Sequence, residues 1–189
     1  MCITALAVWL FPNVSGIASL VAFFGGFILL LAINGTRANG ALSLVLFYAF
    51  TFLEGIALSP LISHYLHLSN GAEIVYNAAL TTGLGMFALG AIVYATGLDL
   101  RRFQGWLMGA LLLLVLVGIV SMFFRLVSPS VYSWLTLLIF TGLVLVDFAR
   151  IRAGGDGLTA VQMATSIYLD AVNIFIALLQ IFGNRSRDD

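Results

Sequence analysis

The sequence predicts an all-α polytopic membrane protein, a bundle of seven helices whose first helix is incomplete. Three observations carry that expectation. Of 189 residues, 62% are hydrophobic and only 8% are charged, where a soluble domain is about a quarter charged. Six apolar runs reach or approach the ~20 residues that span a bilayer at 1.5 Å per residue. The gaps between them are short, which leaves room for one membrane domain over residues 1–189 and for no soluble module.

The runs cover about 14–33, 41–66, 74–96, 105–124, 131–151 and 158–182. Residues 1–11 are apolar but half as long, and Pro12-Asn13 stops them. They read as the end of a clipped first helix, or else as a short interfacial segment. No basic stretch precedes the first run, so no cleavable signal peptide is expected. The connectors hold the usual breakers: Asn34-Gly35, Asn39-Gly40, Ser69-Asn70-Gly71, Gly97 to Arg102, Ser128-Pro129-Ser130 and Ala153 to Gly157. Pro60 lies inside the third segment and is expected to kink it. Gly105 and Gly109 form a GxxxG pair, and Gly83, Gly90 and Gly97 recur every seventh position. Both patterns are expected to pack helices closely within the chain. Trp9, Trp106 and Trp134 fall near segment ends, where an aromatic belt belongs.

Charge sets orientation and excludes classes of partner. Eight arginines balance eight acids, and lysine is absent. A nucleic-acid partner, which needs a basic surface, is therefore not expected. Cys2, the one cysteine, excludes an internal disulfide and a cysteine metal cluster. Connectors with Arg37, Arg101, Arg102, Arg150 and Arg152 outweigh the opposite side, with Arg125, Arg185 and Arg187. The first set is expected to be cytoplasmic.

The chemistry concentrates in the last two segments. Each carries one carboxylate, Asp147 and Asp170. An ionisable group inside a membrane segment costs roughly 2.5–3.5 kcal/mol on insertion scales. Thr159, Gln162, Ser166, Asp170, Asn173 and Gln180 are spaced 3, 4, 4, 3 and 7 and fall on one helical face. Interhelical hydrogen bonding, at about 0.6 kcal/mol each, accounts for the neutral members of that stripe. It accounts poorly for Asp170, because asparagine would bond as well without the cost of ionising. Asp147 has two readings: an ion pair with Arg150 at i+3, or a functional pair with Asp170. A simple hairpin leaves the two aspartates roughly 12 Å apart in level. The seventh segment must therefore be shifted or tilted for them to meet.

Other groups are weighed beside these. Glu54, in mid-segment, either lines the same route or bonds a neighbouring helix. Arg37 is a candidate counter-ion. His64 and His67 lack a third ligand and read as interfacial. Asp99 and Asp156 read as solvated turn residues.

Several stretches together are similar to the Bax inhibitor-1 (transmembrane Bax inhibitor motif) family, bacterial branch. They are Leu145-Val146-Asp147 with Arg150-Ile151, Ser166-Ile167-Tyr168-Leu169-Asp170 with Asn173-Ile174-Phe175, and Gln180-Ile181-Phe182-Gly183. Glu54 to Pro60 resembles the third helix of that family. Val146 stands where tyrosine is usual and Gln180 where arginine is usual. The resemblance implies a central C-terminal helix wrapped by six others and a pH-sensitive calcium leak through the membrane. It also implies that Asp147 and Asp170 are paired aspartates sharing a proton, and a possible link to a membrane protease of a bacterial inner membrane.

General physics fits such a pair. Two carboxylates in a low-dielectric site cannot both ionise cheaply, so their protons leave in two separated steps that belong to the pair. Ca²⁺ seeks six to eight oxygen ligands. Asp147 and Asp170, helped by Asn173, would bind it only weakly, as a leak requires. The expected function is therefore a calcium or other cation leak gated by Asp147 and Asp170. Glu54, Asn173, Ser166, Gln162, Arg37 and Arg150 are candidates for the pore or its network. The expected partners are lipid, Ca²⁺ and protons, and no resident cofactor is expected.

Two rival classes are set beside it. A non-conducting regulator of a membrane protease or survival machinery is one. An intramembrane aspartyl protease is the other, but the chain offers only Ala153-Gly154-Gly155-Asp156, in a turn, where that chemistry needs Gly-x-Gly-Asp within a helix. The serine and zinc motifs are absent as well. An enzyme is not expected.

Overall fold

The structure, a computed structural model, describes residues 1–35, 40–124 and 126–188. Among them seven α-helices follow one another with no strand: α1 (Cys2–Leu10), α2 (Gly16–Gly35), α3 (Gly40–Leu66), α4 (Gly71–Thr96), α5 (Gln104–Phe124), α6 (Pro129–Arg152) and α7 (Ala160–Asp188). One 3₁₀ turn, Arg101–Phe103, leads into α5. Six of the helices are long and apolar enough to cross a membrane. Helices are the expected answer for such sequences, because a lipid-facing backbone must satisfy its hydrogen bonds within the segment. The surface is that of a protein solvated by lipid. Ile17, Phe87 and Trp106 are 78%, 78% and 81% exposed, far beyond what a soluble surface tolerates in bulk. The chain is a multi-pass membrane protein.

The helix ends are built by local chemistry. Ser128 caps α6, its Oγ accepting from the Val131 amide at 3.4 Å, with Pro129 at the first helical position. Thr159 and Gln162 form a reciprocal capping box at the start of α7. The Gln162 amide donates to Thr159 Oγ1 at 3.2 Å, and the Thr159 amide donates to Gln162 Oε1 at 3.0 Å. At the end of α6, Gly155 N–H reaches Arg150 O at 2.9 Å and Gly154 N–H reaches Ile151 O at 3.1 Å. This is a Schellman stop, and it needs the positive φ of Gly154 (96°).

The chain divides into two compact units, Met1–Gly71 with Leu158–Thr165, and Ala72–Gly157 with Ser166–Asp189. In the first, α1 and α3 approach backbone to backbone. A Cβ added at Gly55 would lie 2.5 Å from Thr4 O and 2.6 Å from Ala7 Cβ. Ser19 Oγ donates to Ala57 O at 2.8 Å, and Ser59 Oγ donates to Phe11 O. α3 runs unbroken through Pro60.

In the second unit the close approaches fall at Gly118 against Tyr132, Gly142 against Leu107 and Gly90 against Phe148. The GxxxG pair behaves otherwise, and so does Gly83: a Cβ at Gly105, Gly109 or Gly83 would meet no atom of the described residues within 4 Å. The expectation of intrachain packing there is corrected. A small-residue spacing permits close approach but does not supply a neighbouring helix, and α5 is the least buried of the six spans. α7 is the most buried, at 50% against 33% for α6. Its apolar positions Val172 and Leu179 are buried along with the polar ones, so α7 is covered well beyond its polar stripe.

Candidate functional site: a carboxylate pair with one arginine

Asp147 on α6 is 7% exposed, Asp170 on α7 is 5% exposed and Arg150 is 9% exposed. All three belong to the second unit. Asp147 lies five residues before the end of α6, and Asp170 lies ten residues into α7. Levelling them requires α7 to begin about 8 Å beyond the end of α6. Asp170 comes within Coulombic range of both Asp147 and Arg150, and the Ser166 hydroxyl, one turn before Asp170, faces the Asp147 carboxylate.

The two readings of Asp147 both find something in this geometry. Arg150 Nη1 donates to Asp147 Oδ1 at 3.0 Å, the i+3 ion pair. Yet among the described residues Asp147 Oδ2, which is buried, has no hydrogen-bond partner, and neither has the buried Asp170 Oδ2. An unmade bond to a buried charged group is expensive. Two such oxygens on neighbouring helices, with one guanidinium beside them, form an acceptor-rich site. It can take a shared proton or a cation. Among the described residues no three His, Cys, Asp or Glu side chains converge as a metal cluster would require.

The other candidates separate. Gln162 is buried, but its side chain closes the α7 capping box, and its Nε2 donates to Asn34 Oδ1 at 3.4 Å. Thr159 likewise caps the helix from outside it. Asn173 Nδ2 bonds back to Leu169 O at 2.8 Å. Asn173 also lines a cavity of about 130 Å³ between α5, α6 and α7, together with Tyr132, Thr136 and Gln180. Gln180 meets Ser133 Oγ at 2.7 Å. Glu54 is half-buried in the first unit, whereas the aspartates are in the second. Arg37 lies outside the described residues. His67 Nδ1 lies 2.7 Å from Ser63 O, and His64 stacks edge-on against Tyr65.

Sequence reasoning missed an exposed ion-pair cluster. Arg101 binds Asp99 through Nε and Nη2, the latter at 2.8 Å, while its Nη1 binds Asp156 Oδ1 at 2.8 Å. Arg101 also holds the Asp99 carboxyl down at about 2, chiefly by direct hydrogen bonding. Asp156 in turn stands 3.8 Å from Arg150 Nε. Arg152 Nη2 bonds Gly97 O at 2.7 Å and closes the end of α4. Fifty-five residues separate Asp156 from Arg101, so no local pattern could signal the contact.

The comparisons with known proteins agree with this architecture. An Escherichia coli (strain K12) protein named "Modulator of FtsH protease YccA" is 31% identical over 188 residues, covering 98% of this chain and 82% of the relative. A protein named "Inner membrane protein YccA", from another Escherichia coli strain, matches to the same extent. An uncharacterized protein of Pseudomonas aeruginosa is 32% identical over 180 residues, covering 95% of this chain and 78% of its own length. The family described as "Inhibitor of apoptosis-promoting Bax1" matches residues 1–187, and the chain belongs to that family.

Proposed function

We propose that the protein is a pH-sensitive cation leak, with Ca²⁺ as the transported ion and Asp147 and Asp170 as the gate. The observation that carries this reading is the pair of buried Oδ2 atoms on α6 and α7, unpartnered among the described residues, beside the Arg150 guanidinium. Charge bookkeeping gives the mechanism. With one proton on the pair, two carboxyl groups and Arg150 sum to zero. Loss of that proton leaves a net charge of −1 in a low-dielectric site, which is costly. A cation entering the pair offsets that charge, Ca²⁺ taking the sum from −1 to +1, so deprotonation and cation occupancy are linked. Two carboxylates hold Ca²⁺ weakly, and weak holding permits exit. In this reading the protein is not an enzyme and carries no resident cofactor. It sits in a bacterial inner membrane with the α4–α5 and α6–α7 loops in the cytoplasm, following the arginine bias.

The test is calcium flux into dye-loaded liposomes across a pH series. Wild-type protein should show a pH-dependent leak, and Asp147→Asn and Asp170→Asn should each flatten its pH profile. A profile unchanged in both variants rejects the gate. One relative's name, a modulator of a membrane protease, favours a second reading: a non-conducting regulator of such a protease. Co-purification of a membrane protease, undiminished in both aspartate variants and accompanied by no flux, would select it.

A further inference from the structure

The buried pair is not isolated from the loops. Its arginine stands in a line of alternating charges: Asp99, Arg101, Asp156, Arg150, Asp147 and then Asp170. Consecutive links from Asp99 to Asp147 measure 2.8, 2.8, 3.8 and 3.0 Å. The line begins at exposed carboxylates and ends at a buried one. Every link lies within the second unit.

Arg150 is the shared member. Nη1 is committed to Asp147 at hydrogen-bond distance, while Nε faces Asp156 at ion-pair distance. Asp156 is held toward Arg150 by two devices. Its backbone has φ 49°, in a turn whose three glycines also have positive φ, and Arg101 grips its Oδ1. Arg101 is itself anchored by both oxygens of Asp99. Among the described residues, the other loop arginines are otherwise engaged: Arg152 caps α4 at Gly97 O, and Arg102 stacks on Phe103 at 4.8 Å.

We propose that Asp156, positioned by Arg101, is the outer docking point of Arg150, so that the α4–α5 and α6–α7 loops set how firmly Arg150 holds Asp147. This rests on Asp147 and Asp170 being the gate. Asp156 and Arg101 are positioning residues: they touch neither the ion nor the shared proton and act through one guanidinium. Removing Asp156 releases Arg150 entirely to Asp147 and favours the ionised pair. Removing Arg101 frees Asp156 to draw Arg150 outward and disfavours it.

The experiment is a mutant cycle with two readouts. In the liposome assay, Asp156→Asn should move the midpoint of the pH profile down by about half a pH unit, and Arg101→Gln should move it up by a similar amount. Asp156→Glu should restore the wild-type midpoint. Both shifts should collapse when Arg150 is replaced by Lys, whose single ammonium cannot face two carboxylates as a guanidinium does; Arg150→Gln is the second background. Shifts that persist in those backgrounds overturn the proposal, because they would arise from the general field of the loops. Absent shifts overturn it too. The second readout needs no flux. Asp156→Asn and Asp147→Asn should be non-additive in thermal midpoint by about 2 °C, with additivity recovered in Arg150→Lys. Flux that never depends on pH defeats the gate, whereas additivity in the thermal cycle defeats the docking of Arg150.

Discussion

The second unit holds two carboxylate–guanidinium clusters, and they are finished differently. Around Arg101, both oxygens of Asp99 and one oxygen of Asp156 are bonded, and the groups remain partly exposed. Around Arg150, the guanidinium and the Asp147 side chain are buried, and two carboxylate oxygens have no partner among the described residues. Water can complete the first cluster at little cost, so its job is to hold two loops together. In the proposed function, a shared proton or a cation completes the second. The same two side-chain chemistries thus make a fastener at the surface and an unsatisfied site within the bundle, and burial decides which.

Removing the central cation of each cluster should expose that contrast most sharply. Arg150→Gln leaves a buried carboxylate without its counter-ion, and a loss of about 3 kcal/mol of stability is expected. Arg101→Gln should leave the thermal midpoint nearly unchanged, as for other exposed pairs. Equal losses in thermal unfolding of the two variants would erase the distinction. A smaller effect concerns the helix that carries Asp170. Thr159→Ala breaks the capping box and should cost about 1 kcal/mol, again read from the thermal midpoint. The least effect is confined to the surface cluster. Asp99 has its carboxyl held down at about 2 in the folded protein, against about 3.9 when unfolded. Its stabilising contribution is therefore complete above pH ~4 and fades as pH falls from there toward 2. Hydrogen exchange in the α4–α5 loop should quicken over that window, and Asp99→Asn should be insensitive to it.

The sequence was most informative where the membrane imposes its own rules. A spanning helix must be long and apolar, so composition and run length alone disclose an all-α multi-pass fold. The aspartates stood out because charge is rare in such segments. Relations between distant residues were not legible. Gly55 packs against Thr4, and Gly142 against Leu107, whereas at the local GxxxG pair, Gly105 and Gly109, an added Cβ would meet no atom of the described residues within 4 Å. The Arg101–Asp156 contact joins two turns that each look merely solvated. Thr159-x-x-Gln162 is a different lesson. Its capping-box spacing was readable, but the same residues also fit a polar stripe, and helical periodicity does not distinguish a residue that starts a helix from one that lines it. The level of Asp170 against Asp147 depended on the course of connector 153–159, which the glycines permit but do not dictate.

The most direct test of the central idea is infrared difference spectroscopy of the reconstituted protein as pH is raised through neutrality. The account predicts loss of one protonated carboxyl stretch in the wild type, with that change abolished by Asp147→Asn and by Asp170→Asn. A spectrum without any titrating carboxyl band, or one whose band survives both substitutions, would contradict a proton held in common by α6 and α7.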